Sequence, residues 1–323
     1  VKKISIGILG YNEEYGIAHL LDSLQRQTLL NREYDLEIIV ISNGSQDQMA
    51  AVARTKLATF ATINSDVVEL PVADKCAAWN HLIHQAAGVA DYYILLDADV
   101  ILVQPNGLEE LMQGLIDHPE CRICGGKVLN KRGEIANRHF VDGKCYAIRG
   151  EVARHIYIPN GVVLDDAYVA ATALTNWYET TPEVGEAKGY IRLTENVIVQ
   201  AGGTPRDRSK SYWIACRKRT ITAEYTQRHV DYCMRSIFGG GELAKTIVLK
   251  LSQTNPDWFV EYLNQVSRKD FTPQFNPPKV QLPASTRQIV QFAVYCYCYF
   301  LSMMGIRNRE FGHLAWKLKH RYW

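Results

Sequence analysis

Two aspartates at alternate positions, Asp97 and Asp99, directly follow the apolar run of residues 92–96 (YYILL). Carboxylates in that spacing, just past a buried strand, can turn toward one ligand. They suit a hard divalent cation such as Mn²⁺ or Mg²⁺, which takes one or two protein carboxylates and completes its shell with substrate phosphate oxygens. A cation so placed neutralises the charge that builds on a departing diphosphate. A second acidic pair, Asp165-Asp166, has two readings from its residues alone. Either one carboxylate takes the proton of an attacking hydroxyl, or both are the favourable acidic residues of a helix's first turn. Further on, Arg206, Arg208, Lys210, Arg217, Lys218 and Arg219 offer cations to phosphate oxygens, which arginine grips as a fork. A solvated helix face would carry the same residues. The run 239–241 (GGG) with Lys245-Thr246 lacks the glycine directly before the lysine that a phosphate loop requires, and reads as a turn.

These groups need elements to position them. Residues 4–10, 36–42, 67–71 and 92–96 read as strands; Ile17, Leu20, Leu21 and Leu24 share one helix face, as do Ala78, Leu82, Ile83 and Ala86. Leu108, Leu111, Met112, Leu115 and Ile116 mark a further helix. The β-α-β-α-β order predicts an α/β fold on an open, mostly parallel sheet flanked by helices. In such sheets ligands bind beyond the carboxyl ends of the strands. The polar clusters fall at those ends: Tyr11-Asn12-Glu13 after the first strand, Ser42-Asn43-Gly44-Ser45 after the second, Asp97-Ala98-Asp99 after the fourth. Short strands are expected around 122–129 and 145–149, and a helix from Asp165-Asp166 through Ala173.

A chain of 323 residues with 47% hydrophobic and 22% charged residues is ordinary for a globular protein. A net charge of +2 gives no overall footprint for nucleic acid. The apolar run at 4–9 is too short for a signal-peptide core, so the expected compartment is the cytoplasm, with reduced cysteines. Cys121 and Cys124 form one C-x-x-C without a partner pair of matching spacing, and are expected to be structural thiols.

The runs GILGYNEEYGIAHLLDSL, VISNGSQDQ and KCAAWNHLIHQAAGVADYYILLDADVIL resemble the donor-binding half of the family 2 glycosyltransferases, whose fold is GT-A. DGKCYAIRGEVARHIYIPNGVVLDDAYVA resembles their acceptor-side segment, and the likeness covers about residues 3–225. It implies a metal-dependent, inverting transfer of a sugar from a nucleotide diphosphate donor. By this likeness Tyr11, Asn12 and Glu13 line the nucleoside pocket, and Lys75 approaches the base or the phosphates. Asp97 holds ribose or metal, Asp99 the metal, and Asp166 is the base. Gly143 and Tyr146 floor the sugar pocket beside Asp165. Two departures matter. Ser42-Asn43-Gly44-Ser45 stands where many members have Asp-Asp-Gly-Ser, so Asn43 takes the place of the residue that usually reads the base, and a uridine donor is favoured but less firmly. Cys216-Arg217-Lys218-Arg219-Thr220 stands where processive members have Gln-x-x-Arg-Trp; Arg219 keeps the phosphate role, while polymer synthesis loses support. Two rival functions are a nucleotidyltransferase-like enzyme, which would need a glycine-rich first loop where this chain has GYNEE, and a non-catalytic nucleotide-sugar-binding protein. The acceptor is not legible: a lipid-linked saccharide, a saccharide and a small molecule all fit.

The resemblance divides the chain into a catalytic domain, 1–235, and a helical C-terminal extension, 236–323. The extension holds a wrap at 270–283 with four prolines. Residues 289–306 (IVQFAVYCYCYFLSMMGI) are almost wholly apolar, and Arg307, Arg309, Lys317, Lys319, His320 and Arg321 follow, interleaved with Phe311, Trp316, Tyr322 and Trp323. Such a tail suits either a helix packed on the protein or the headgroup layer of an anionic membrane.

Overall fold

KISIGILG forms β1 (Lys3–Gly10) and is buried along nearly its whole length. A strand covered on both faces has no reason to alternate, which explains its continuous apolar run. β2 (Asp35–Asn43), β3 (Asn64–Leu70) and β4 (Tyr92–Asp97) lie parallel with it in the order β3-β2-β1-β4. The crossovers carry α1 (Glu14–Leu24), α2 (Met49–Leu57) and α3 (Lys75–His81). α1 turns Ile17, Leu20, Leu21 and Leu24 into a core with Ile4, Ile6, Ile8, Ile38, Val40 and Ile94. α3 starts where Asp74 accepts a hydrogen bond from the Ala77 N–H, and continues into one π turn, Leu82–Ala86. This computed structural model describes residues 1–60, 62–130, 132–137, 139–202, 210–266 and 286–307.

Beyond β4 the sheet becomes mixed. β4 pairs antiparallel with β7 (Cys145–Arg149), and β7 antiparallel with β6 (Ile123–Leu129). β6 runs parallel to β8 (Ile191–Ala201), which pairs antiparallel with β5 (Val100–Leu102) at the edge. Four of the seven pairings described are parallel, so the expected mostly parallel sheet holds, with an antiparallel half added. The order β3-β2-β1-β4-β7-β6-β8-β5 leaves β4 and β5 four strand spacings apart. In a flat sheet that is about 19 Å. The chain from Asp97 to Val100 reaches only about 11 Å when extended. The sheet therefore has to curl, with Asp97-Ala98-Asp99 as the short link between its middle and its edge. α4 (Gly107–Ile116) buries Leu108, Leu111, Met112 and Leu115 in the same core. α5 (Gly150–Ala153), α6 (Asp165–Leu174) and α7 (Pro182–Ala187) complete the sheet's surroundings.

Residues divide into two compact units, 1–158 with 165–204 and 239–249 in one, 159–164 with 205–238 and 250–323 in the other. The second is helical over its described residues: α8 (Lys210–Tyr232), the end of α9 (Gly241–Thr254), α10 (Trp258–Gln265) and α11 (Thr286–Arg307). Ile221 of α8 packs with Tyr295, Cys298 and Tyr299 of α11. Gly239, Gly240 and Gly241 all have positive φ, as a turn made of glycines should, and α9 starts at its end. The proline-rich wrap and the basic tail beyond residue 307 lie outside the described residues, as do Arg206 and Arg208.

Candidate active site

The loops after β1 and β2 are stitched together. Asn12, in the left-handed region at φ 52°, donates its N–H to Ser45 Oγ at 3.1 Å, and its side-chain oxygen accepts from the Gln46 N–H at 2.7 Å. The Glu14 N–H reaches Asp47 at 3.0 Å. Tyr11 and Glu13 are buried beside this seam, and burial raises the Tyr11 phenol above its ordinary value. Asn43 is buried as well, and its side-chain oxygen accepts from the Asp74 N–H at 2.9 Å. The residue expected at the base is thus also the one that fixes the cap of α3.

That cap aims Lys75. Its Nζ lies 2.8 Å from Asp97 Oδ1 and 3.4 Å from Asp165 Oδ2, joining the end of β4 to the start of α6. Burial by itself would push this ammonium down, but Asp165, Asp97 and Asp166 outweigh it and hold it well above a lysine's ordinary value. The link gives the Asp165 carboxylate, only 4% exposed, the partner of opposite charge that a buried charge needs.

The antiparallel strand β7 brings up the other side of the rim. Its register sets Leu96 opposite Cys145, and one step further the Asp97 N–H donates to the Lys144 carbonyl at 3.1 Å. The Gly143 N–H donates to Asp166 Oδ2 at 3.1 Å, while Asp166 Oδ1 accepts from the Ala167 N–H at 2.9 Å. A Cβ at position 143 would stand 3.0–3.2 Å from the Asp166 side chain, so glycine permits the approach. Tyr146 lies beneath, 1% exposed, its hydroxyl accepting from the Trp79 indole N–H at 2.7 Å; it underpins the rim rather than lining it.

Lys144 and Asp142 have no sign in the sequence beyond a charged loop, yet the structure sets them at this rim. Lys144 Nζ is 3.3 Å from Asp142 Oδ1. Its ammonium is likewise held above its ordinary value, against the effect of burial, by Asp97, Asp142 and Asp99. The Asp99 carbonyl accepts from the Gly202 N–H at 2.7 Å, tying the link between β4 and β5 to the end of β8. Arg219 belongs to the second unit, where its guanidinium donates to the Val163 carbonyl at 3.5 Å. Cys121 and Cys124 are buried on the core side, and burial pushes their thiols up to about 11 and about 12, far from the reactive range.

The donor set at this rim is carboxylate oxygen. Among the described residues no three His, Cys, Asp or Glu side chains surround a point that could hold a metal, so a protein-only cage is not built. Two carboxylates on one short link do fit a cation that takes its remaining ligands from substrate phosphates and water.

Residues 5–160 match the family model described as glycosyl transferase family 2. No curated protein sequence matches the chain. Among solved structures, a mannosyltransferase from Pyrobaculum calidifontis, PcManGT, in complex with GDP-Man and Mn²⁺, is 15% identical, with 94% of this chain and 86% of that one covered at a TM-score of 0.56. TarS 1–349 from S. aureus is 13% identical, with 95% and 87% covered at 0.48. Glucosyl-3-phosphoglycerate synthase from Mycobacterium tuberculosis is 18% identical, with 68% and 78% covered at 0.47. The fold is GT-A, and residues 5–160 are similar to glycosyl transferase family 2.

Proposed function

We propose that the chain transfers a sugar from a nucleotide diphosphate donor, with uridine favoured as the base, to an acceptor hydroxyl with inversion at the sugar. The observation that carries this reading is Lys75, which joins Asp97 on the donor side to Asp165 on the acceptor side within 3.4 Å. One lysine between two acidic groups from distant parts of the chain supports a single reaction centre. Tyr11, Asn12, Glu13 and Asn43 supply the nucleoside side. Lys75 and Lys144 are the cations proposed for the diphosphate. Asp99, assisted by Asp97, would hold Mn²⁺ or Mg²⁺, whose chemistry when bound is to neutralise the leaving diphosphate. The likeness in fold to a mannosyltransferase holding GDP-Man and Mn²⁺ supports this assignment.

Asp166 is the proposed base. Two backbone N–H groups orient its carboxylate, leaving lone pairs for the acceptor hydroxyl. The proton is taken as the hydroxyl attacks, so the contribution appears in the transition state and not in donor affinity. The acceptor's class stays as broad as the hydroxyl itself: saccharide, lipid-linked saccharide or small molecule. The test is a panel of UDP- and GDP-sugars with Mn²⁺, following release of free nucleotide diphosphate with and without candidate acceptors. Turnover of at least one donor that disappears in Asp166→Asn is expected. Donor binding without turnover of any donor would favour the non-catalytic reading.

A further inference from the structure

α11 presents two chemically distinct faces. Tyr295, Cys298 and Ser302 are buried, and Tyr295, Cys298 and Tyr299 meet Ile221 of α8. On the opposite side Ile289, Ala293, Tyr297, Phe300 and Met304 follow the i, i+4, i+8, i+11, i+15 spacing of one helix face. Ile289 is 54% exposed, Tyr297 52%, Phe300 60% and Met304 44%, with Val290 at 55% on the flank. No charged residue occurs between 288 and 306. A helix of 22 residues is about 33 Å long, so the row is a continuous apolar ridge rather than scattered surface leucines of the ordinary kind.

We infer that this ridge seats α11 in the interface of an anionic lipid bilayer, parallel to its plane. Two observations select that occupant. First, no described helix is long and apolar enough to cross a membrane, and the inner face of α11 is already committed to α8, so the helix suits lying in an interface and not spanning. Second, the sequence directly after the ridge, 307–323, holds five Lys or Arg against a single acid, Glu310, together with Phe311, Trp316, Tyr322 and Trp323. The whole chain has a net charge of only +2, so this segment is far more basic than the rest. Apolar ridge followed by cations and interfacial aromatics matches acyl chains, phosphate headgroups and the layer between them. A second copy of the chain, or the chain's own residues, would complement the ridge but not the charge. The inference stands independently of the transfer proposed above, because it is read without any donor.

The experiment uses the full chain and sedimentation with vesicles of phosphatidylcholine alone or with about one third phosphatidylglycerol. Binding is expected on the anionic vesicles, falling at least about tenfold as salt rises from about 0.1 M to about 1 M and the screening length shrinks from about 10 Å to about 3 Å. Tyr297→Glu/Phe300→Glu should lose at least about tenfold in vesicle binding, since each charge would have to enter the acyl boundary. The milder Tyr297→Ser/Phe300→Ser should move the same way while keeping the wild-type circular dichroism spectrum. Absence of binding to anionic vesicles overturns the inference, and so does equal binding by the Ser pair. So does a dimer of the wild type that the Ser pair dissociates without any vesicle binding, which would make the ridge a contact between copies.

Discussion

At the scale of single residues, charge pairing and catalysis separate cleanly. Lys75→Met would remove the Lys75 ammonium from the buried Asp165 carboxylate. Removing one partner of a buried pair costs about 3–5 kcal/mol; with 18% of the Lys75 side chain reaching solvent, about 3 kcal/mol is expected from denaturant unfolding. The double variant Lys75→Met/Asp165→Asn should recover part of that loss, as coupled neighbours do. If the two changes simply add, the ion pair is not what holds Asp165. Asp166→Asn is expected to keep donor affinity and lose about 10²–10⁴-fold in kcat. Gly143→Ala should lower kcat in the same direction but less, because its methyl would press on the Asp166 carboxylate at 3.0–3.2 Å. A raised donor Kd with unchanged kcat in Asp166→Asn would instead make Asp166 a binding residue. Asp97, Asp99 and the acidic pair stand out by residue type and spacing, and the structure brings Asp97 and Asp165 together on Lys75. Lys144 does not stand out, because a lone lysine between Asp-Gly and Cys looks like any solvated loop until β7 is paired with β4.

At the scale of elements, strong apolar periodicity decided what could be read. The strands of the first half and the helices α1, α3, α4 and α6 are found where the pattern places them. α2 left little trace, because Met49, Ala50, Ala53 and Leu57 form its buried side and alanine is a weak mark of a face. The swap to antiparallel pairing at β7, and the placing of β5 at the far edge, depend on long-range partners that no local spacing encodes. The π turn after α3 has a consequence of its own. His84 Nε2 lies 2.8 Å from the Ile156 carbonyl and its ring stacks on Tyr157 at 5.3 Å. Burial, the largest effect, lowers its pKa below the ordinary value. The folded protein therefore keeps His84 neutral where the unfolded chain is protonated. Stability from this residue is present above about pH 6.5 and falls as pH drops from there toward the lower folded value. His84→Gln should flatten that part of a plot of denaturation midpoint against pH. An unchanged slope between about pH 6.5 and 5 would remove His84 from the acid response.

At the scale of the whole molecule, ligand binding should show as stability, since a donor that binds only the folded state shifts the unfolding equilibrium. At about 100 times its Kd the gain is about 2.7 kcal/mol. With a UDP-sugar and Mn²⁺ present that gain is expected, and a chelator should cancel most of it, because Asp99 and Asp97 alone face a diphosphate poorly. A gain untouched by chelation would mean that Lys75 and Lys144 carry the phosphates without a metal. The curl of the sheet gives this centre an unusual dependence. The three-residue link that holds both proposed metal ligands is also what bridges the four strand spacings between β4 and β5. It works as a clasp: the bend of β7, β6 and β8 keeps it shut, and its own shortness keeps them bent. The distance between the Asp97 and Asp99 carboxylates is therefore a readout of sheet curvature. A cavity opened deep under β6 or β8 should be felt first as slackness between the two proposed metal ligands.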